Sequence, residues 1–282
     1  MVKVVLGHPG SSRPRLFRRA APILCFVLCL TLVLAAPQIA PTDPNEVSMP
    51  RRLMAPNPSA FLGTDQLGRD VLSRILHGGQ AAMITVLVAV AGSTALSTSV
   101  GILAGARGGL VDRVLCAVLD LLLAVPGLLV ALAILGTLGT GRLAVIVALI
   151  GASWAEEARI VRSLVATLRS SALIEAAHAL GAPAWRIGVV HVLPATLPTV
   201  VVLATLNLGQ ALLTVSSLSF LGLGTQPPSA DWGTMLAESR AYLGAAPWLM
   251  VAPGACIVGF AVLANLVGDV LQGQADPRQR GR

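Results

Sequence analysis

The residues that could perform catalytic chemistry are few and widely separated in this sequence. The only lysine is Lys3, so the phosphate-binding loop GxxxxGK[ST] cannot occur anywhere in the chain. The zinc motif HExxH and the serine motifs GxSxG and SxxK are also absent. Glu175 and His178 have the spacing of half a di-iron site, but such a site needs a second pair of this kind and further carboxylates. We therefore predict no catalytic residue, no metal site and no cofactor in this chain.

Asp120 and several polar residues lie inside apolar runs, where their side chains need partners or water. A carboxylate within a bilayer costs about 2.5–3.5 kcal/mol on insertion scales, so something must offset the cost at Asp120. Two interpretations stay open: Asp120 lines a path for a solute or proton, or a neighbouring helix or water satisfies it. Asn207, Gln210 and Thr214 either line a polar path or hydrogen-bond between helices. These four residues are our candidates for a translocation pathway.

The elements that position these residues are predicted to be membrane helices. The 282 residues are 55% hydrophobic and 12% charged, with a mean hydropathy of +0.80, which is too apolar for a soluble domain. Apolar runs of about 20 residues satisfy their backbone groups in lipid only as helices. Gly101 and Gly105 form a GxxxG pattern that favours close helix packing. Six apolar runs occur, at about residues 20–36, 81–105, 114–136, 143–158, 195–222 and 248–271. We therefore predict an all-α integral membrane protein with six transmembrane helices, the third kinked at Pro126.

The distribution of Lys and Arg predicts the orientation of these helices. With the N-terminus inside, the cytoplasmic segments hold 14 of these residues and the outer loops hold 6, which favours cytoplasmic N- and C-termini. The first run also resembles a signal peptide ending at Ala35–Ala36, but Pro37 directly follows the possible cleavage site and favours a retained span. The predicted divisions are 1–60 (N-terminus, first span, start of an outer loop), 61–80 (outer segment), 81–272 (transmembrane domain) and 273–282 (cytoplasmic tail).

Residues 61–80 are predicted to form a short amphipathic helix outside the membrane core. Two i,i+4 pairs, Asp65 with Arg69 and Asp70 with Arg74, would each contribute about 0.2–0.5 kcal/mol on an exposed helix face. Apolar residues form a stripe on the other face of the same helix. We expect this helix to lie against the outer membrane surface or against the rest of the protein.

The loop at 163–194, between the fourth and fifth runs, is longer than a plain connection needs to be. Its sequence LIEAAHALGAPAWRIGVVHVLP predicts a helix through Leu180, a left-handed stop at Gly181 and a second helix with Pro183 in its first turn. A bilayer does not require such a helix–turn–helix. We therefore expect the loop to bind a partner in the cytoplasm.

Motifs in this loop and elsewhere carry a family resemblance. EAA at 175–177, Gly181 six residues after Glu175, and HVLP ending at Pro194 resemble the EAA loop of permease subunits in binding-protein-dependent ABC importers. The chain is similar to the C-type permease subunit of dipeptide, oligopeptide and nickel importers in further motifs, namely GTDQLGRD at 63–70, SFLGLGTQPP at 219–228, DWGTML at 231–236 and APW at 246–248.

The resemblance implies a type I importer permease in the cytoplasmic membrane of a bacterium, which moves peptides by alternating access. It implies as partners a B-type permease, two cytoplasmic ATPase subunits that bind ATP and Mg²⁺, an extracytoplasmic solute-binding protein and the lipid bilayer, and no nucleic acid. Nickel or another small solute stays open as an alternative to peptides. The resemblance assigns coupling to the ATPase to Glu175, Ala176, Ala177, Gly181 and Pro194.

Two places depart from the family pattern, and two other functions stay open as rivals. Glu156 and Glu157 stand where uncharged residues are usual, and Ala195 stands where Asn often follows the Leu-Pro pair. Both places are expected to border the coupling loop and to change its local contacts. An ion-coupled transporter would find support in Asp120, and an intramembrane enzyme only in the single Glu-x-x-His pair.

Overall fold

The computed structural model describes residues 13–275, and this part of the chain contains helices and no strands. Lys3, Arg278, Arg280 and Arg282, which entered the charge count, lie outside the described residues, as does most of the predicted tail. The helices are α1 (Arg13–Leu34), α2 (Ala36–Ile39), α3 (Val71–Arg107), α4 (Gly109–Leu123), α5 (Gly127–Leu138), α6 (Arg142–Arg169), α7 (Ala172–Ala179), α8 (Ala184–Ile187), α9 (Leu193–Phe220), α10 (Trp232–Ser239) and α11 (Trp248–Ala275).

Within the described residues, three helices are long and apolar enough to cross a membrane. They are Val71–Arg107, the continuous helix Ala184–Phe220, and Trp248–Gly273; α4 and α5 add a fourth if the bent pair is one span. The apolar part of α1, Ala21–Leu34, is shorter, and α6 carries two glutamates and three arginines in its second half. The fold is therefore that of a multi-pass membrane protein, with three or four such spans by length and composition where the sequence predicted six.

α3 and α6 form the most extensive helix pair of the bundle, and two glycines bring them together. A Cβ atom at Gly101 would lie 2.7 Å from the Cβ of Val161, and one at Gly105 would lie 2.7 Å from the Cβ of Val165. Only glycine fits at this separation, because real Cβ atoms do not approach other carbons so closely. The predicted packing role of the GxxxG pattern is confirmed. α9 packs on α3, and α11 packs on α9, to complete the bundle.

The helix of the third run is interrupted completely at Pro126, where the sequence predicted only a kink. α4 ends at Leu123, α5 begins at Gly127, and the two helices are bent by 87°. Proline has no backbone N–H to donate, and its ring disfavours helical conformation at the residue before it, so α4 cannot continue through this position. The run at 114–136 is therefore two helices, and the second packs against α6.

One end of the bundle, which we call the α10 end, contains residues 36–70, α10 and the first turns of α3. The prediction of a separate helix at 61–80 is wrong, since residues 61–70 form turns and α3 runs unbroken from Val71. Gly63 and Gly68 both have a φ of +75°, a left-handed conformation that interrupts a helix. Asp70 then caps α3 by accepting a hydrogen bond from the backbone N–H of Ser73 at 2.8 Å.

The charged side chains of this segment are buried rather than exposed. Arg69 Nε donates to Asp65 Oδ2 at 2.6 Å, and Arg74 Nε lies 3.5 Å from the same oxygen. Glu238 of α10 lies 3.3 Å from Arg69 Nη2 and 3.4 Å from Arg74 Nη2. The Asp65–Arg69 pair occurs as predicted, whereas Asp70 caps α3 instead of pairing with Arg74. We call Asp65, Arg69, Arg74 and Glu238 the α10-end network; it joins the segment before α3 to α10.

Two further contacts fix α10 against α3. Asp231 caps α10 by accepting from the backbone N–H of Gly233 at 2.9 Å, and the indole N–H of Trp232 donates to the carbonyl of Ile75 at 2.8 Å. Burial raises the pKa of Asp231, although the hydrogen bonds to this carboxylate act in the opposite direction. α10 is therefore a fixed part of the bundle rather than a mobile loop element.

Candidate functional site

A cavity of about 470 Å³ lies between α3, α5, α6 and α9. Asn207, Gln210 and Thr214 all line it, because their spacing of three and four residues places them on one face of α9. The structure therefore brings three of the four predicted pathway residues together. Apolar side chains form much of the remaining wall, among them Leu128, Leu149, Leu203 and Leu213.

Glu157 of α6 is the most deeply buried charged residue that lines this cavity, with 4% of its surface exposed. Ser97 Oγ and Thr94 Oγ1, both on α3, donate to Glu157 Oε2 at 2.9 and 3.3 Å. The side-chain amide of Asn207 on α9 donates to the other carboxylate oxygen. The carboxylate thus lies where α3, α6 and α9 meet, and hydroxyl and amide groups satisfy both of its oxygens.

The position of Glu157 corrects the expectation that it borders the coupling loop. α6 continues to Arg169, so Glu157 lies twelve residues, or about 18 Å, before the end of the helix. The sequence prediction ended the fourth span at residue 158 and therefore missed this residue as a site candidate. Continuous helical sequence from 142 to 169, without glycine or proline after residue 151, was the signal that could have found it.

Asp120 lies outside the cavity. Its carboxylate forms an ion pair with Arg159 of α6, and 58% of the Asp120 side chain and 55% of the Arg159 side chain are exposed. A second ion pair joins the same two helices between Asp112 and Arg162. Asp120 therefore has a neighbouring base, which the sequence had not revealed, and it is not grouped with Asn207, Gln210 and Thr214.

At the other end of the bundle, which we call the α7 end, α7 presents an exposed surface. Glu175 and Ala176 are exposed, and so are the large apolar side chains of Leu173 (63%) and Leu180 (88%). Trp185, just after the turn, is 71% exposed. Exposed apolar side chains grouped on one surface indicate an interaction site.

A small apolar cluster fastens α7 to the bundle. Ile174 is 4% exposed and packs with Val161 and Val165 of α6 and with Val192 at the start of the following helix. Ala177 packs against this cluster too, so it faces inward, whereas Ala176 faces outward. The exposed face of α7 is therefore attached directly to two long helices.

The turn after α7 has the left-handed conformation that the sequence predicted. Gly181 has a φ of +76°, and its N–H donates to the carbonyl of His178 at 2.9 Å. The N–H of Ala182 donates to the carbonyl of Ala177 at 3.1 Å, which completes a Schellman motif. A Cβ at Gly181 would meet nothing within 4 Å, so glycine is needed here for its backbone conformation alone.

The second helix begins beside Pro183 as predicted, but it continues into the fifth span across the predicted boundary at residue 194. It runs from Ala184, with Pro183 at the N-cap position, through a π-helical turn at Gly188–Val192 into α9. Pro194 cannot donate to the carbonyl four residues before it, and the π turn changes the hydrogen-bond register at this point. The non-helical part of the loop is thus short, and α7 sits between two long helices.

The chain matches the family described as "Binding-protein-dependent transport system inner membrane component" over residues 97–281. It is 34% identical to the probable D,D-dipeptide transport system permease protein of Escherichia coli K12, over 91% of this chain and 86% of that protein. It is 37% identical to the nickel transport system permease protein of the same strain, over 92% and 93% of the two chains.

A third relative and a solved structure extend these similarities. The dipeptide transport system permease protein of Haemophilus influenzae is 33% identical over 90% of this chain and 89% of its own length. A chain of the MetNI methionine ABC transporter, in an inward-facing conformation, has the same fold with a TM-score of 0.58; it covers 72% of this chain and 96% of its own length at 21% identity. The chain belongs to the family of binding-protein-dependent transport system inner membrane components.

Proposed function

We propose that this chain is a permease subunit that moves di- or oligopeptides across the cytoplasmic membrane by alternating access, driven by separate ATPase subunits. The observation that carries the proposal is the surface of α7, which exposes Leu173, Glu175 and Leu180 and is fastened to α6 and to the start of α9. A partner that moves α7 would move both long helices. The peptide relatives support this solute class.

The partners follow from the same surface and from the relatives. An ATPase subunit would bind the exposed face of α7, a second, B-type permease would complete the transmembrane path, and a solute-binding protein would deliver the solute at the α10 end. The chain has no lysine apart from Lys3, so ATP and Mg²⁺ would be held by the ATPase subunits. The cavity that contains Asn207, Gln210 and Thr214 would form this chain's part of the path.

Reconstitution tests this function. The purified chain alone should hydrolyse no ATP, whereas the complete complex in proteoliposomes should accumulate radiolabelled dialanine only with ATP and the binding protein. Uptake driven by a proton or sodium gradient without ATP would favour the ion-coupled alternative. ATP-driven uptake of nickel, with none of dialanine, would keep the permease and change its solute.

We further propose six spans with both termini in the cytoplasm, so that the α10 end faces outward. Asp65 and Asp231 are buried and would label poorly, whereas Glu46, Ser229 and Glu175 are exposed. In a cysteine-free background, cysteines at Glu46 and Ser229 should react with an impermeant reagent in intact cells. A cysteine at Glu175 should react only after the cells are opened, and its labelling in intact cells would contradict this orientation.

A further inference from the structure

Two carboxylates line the cavity, and no basic side chain of residues 21–273, whose side chains the structure describes, lines it with them. Glu156 is exposed, and Glu157 is buried. Neither glutamate has an Arg, Lys or His nitrogen within 4.0 Å in the described part of the chain. The cavity wall therefore carries acidic groups that this chain does not neutralise.

Three other acids of the bundle have an arginine partner, whereas the buried Asp70 and Asp231 are helix N-caps. The carboxylates of Asp65, Asp112 and Asp120 each pair with an arginine. Glu157 instead accepts hydrogen bonds only from uncharged groups, namely two hydroxyls and an amide. Such donors satisfy the carboxylate oxygens but supply no opposite charge. A buried charge of this kind is stabilised by an opposite charge brought close to it.

We propose that Glu157, with Glu156 beside it, binds the positively charged group of the transported solute, and that this group is an organic ammonium such as the N-terminus of a peptide. This assignment rests on the proposed function, because it places the cavity on the solute path. The side chain of Asn207 holds the carboxylate in position and is itself part of the cavity wall.

The size and lining of the cavity favour an organic cation over a metal ion. A volume of about 470 Å³ with leucine side chains along the wall suits a small organic molecule. A hard divalent metal ion takes about six or more oxygen ligands, usually from several carboxylates. No group of three or more His, Cys, Asp or Glu suited to a metal ion occurs in the described part of the chain.

The charge preference of the cavity can be measured without knowing the solute. Ser153 lines the cavity one helical turn before Glu157 and is exposed, so Ser153→Cys places a thiol near the carboxylate. The complete complex is prepared with the four native cysteines replaced. The rates of modification by the cationic aminoethyl and the anionic sulfonatoethyl methanethiosulfonates are then compared.

We expect the cationic reagent to react on the order of tenfold faster, relative to the rates of both reagents with a free thiol, because opposite charges attract strongly near a protein interior. Glu157→Gln should remove most of this preference. Glu156→Gln, at an exposed position where folding is not at risk, should reduce it by a smaller factor. Glu46→Gln removes one negative charge far from the cavity and serves as the matched control, which should leave the ratio unchanged.

Protection of the same thiol identifies the cation. Dialanine should slow modification of the Ser153→Cys complex severalfold, whereas N-acetyl-dialanine, which lacks the ammonium, should not. The protection should be lost in the Glu157→Gln complex. Protection by nickel chloride but not by dialanine would overturn the assignment to an organic ammonium.

The outcome for this site is separate from the outcome for the proposed function. A reagent ratio near one in the Ser153→Cys complex with both glutamates present, or a ratio that Glu157→Gln and Glu156→Gln both leave unchanged, would overturn the inference even if ATP-driven dialanine uptake is normal. Failure of uptake in the native complex would instead count against the proposed function. Elution of each variant complex as a single species excludes misassembly as the cause.

Discussion

The connecting segments at the two ends of the bundle differ in which side chains they bury and which they expose. At the α10 end, Asp65 and Arg69 before α3 and Arg74 in its first turn are buried and lie next to Glu238 of α10. At the α7 end, the connecting helix buries one large side chain, Ile174, and leaves apolar groups exposed. Charged residues are thus inside at one end, and apolar residues are outside at the other.

This difference indicates that contacts within the chain hold the segments of the α10 end, whereas α7 is held by few contacts and offers an exposed face to a partner. A buried ionic network holds its segment only while every partner is present, because a lone buried charge is strongly destabilising. An exposed leucine, in contrast, contributes little to the stability of the chain, but it stabilises a complex when a partner covers it. We therefore expect substitutions at the α10 end to lower stability and those at the α7 end to lower coupling.

The largest effect is expected from Arg74→Met. Arg74 is 1% exposed and lies between Asp65 and Glu238, so its removal leaves two carboxylates without part of their compensation. Loss of one partner from a buried ion pair typically costs about 3–5 kcal/mol. Unfolding of the purified chain in detergent, followed by circular dichroism or thermal inactivation, should show this loss.

Arg52→Met is the matched control for that experiment. Arg52 is an exposed arginine of the same α10 end and takes no part in an ion pair within the described residues. It should change stability by less than about 0.5 kcal/mol. Equal effects of Arg74→Met and Arg52→Met would show that the network does not hold the α10 end together.

The next largest effect is expected at the α7 end, from Gly181→Val and Gly181→Ala. A left-handed backbone costs a residue with a Cβ about 1–2 kcal/mol. Since a Cβ at Gly181 meets no atom within 4 Å, alanine should cause most of the loss that valine causes. Both variants should insert normally but show reduced ATP-driven uptake and reduced co-purification of the ATPase subunits.

Gly188→Ala separates this backbone effect from a general effect of added volume. Gly188 has a φ of −57°, and a Cβ there would also meet nothing within 4 Å. Alanine favours helical conformation over glycine by about 1 kcal/mol, so uptake should be retained. If the Gly181 variants keep normal uptake as well, the loop is only a connector, and the coupling assignment fails.

A smaller effect is expected from Leu180→Ser. Leu180 is 88% exposed, so its loss should leave the stability of the chain unchanged within about 0.5 kcal/mol. If an ATPase covers it, binding should weaken by about 1 kcal/mol or more, which co-purification at graded detergent and salt would detect. Unchanged binding of the ATPase subunits would remove Leu180 from the docking surface and leave Glu175 and Ala176 to be tested by Glu175→Lys and Ala176→Trp.

The sequence predicted those features of the fold that depend on local backbone chemistry. The left-handed Gly181 follows from its place after a helical run, and the close approach of α3 to α6 follows from Gly101 and Gly105. Such features need no knowledge of distant residues. At Pro126 the same local chemistry predicted a kink, but not the complete break, whose 87° angle depends on how α5 packs against α6.

The sequence predictions were wrong where the burial of a charged side chain depends on residues far along the chain. Arg74 and Asp65 suggested an exposed helix, because nothing local shows that Glu238 would cover them. Glu157 was placed beside the loop, because its partners Ser97 and Asn207 lie on two other helices. Burial of a charged group is set by tertiary contacts, which local patterns do not contain.

The smallest effect is expected from Asp120→Asn, which tests whether burial decides the worth of an ion pair in this molecule. Asp120 pairs with Arg159 as Asp65 pairs with Arg69, yet over half of both side chains is exposed. Exposed pairs contribute under about 1 kcal/mol, because water screens the charges and both side chains lose rotamer freedom. Asparagine keeps the size of the side chain and can still accept a hydrogen bond, so stability and uptake should stay near normal, and any loss should not vary with pH. Asp65→Asn, measured in parallel, should cost several times more. A clean loss of uptake in a normally assembled Asp120→Asn complex would place Asp120 on the solute path despite its position outside the cavity.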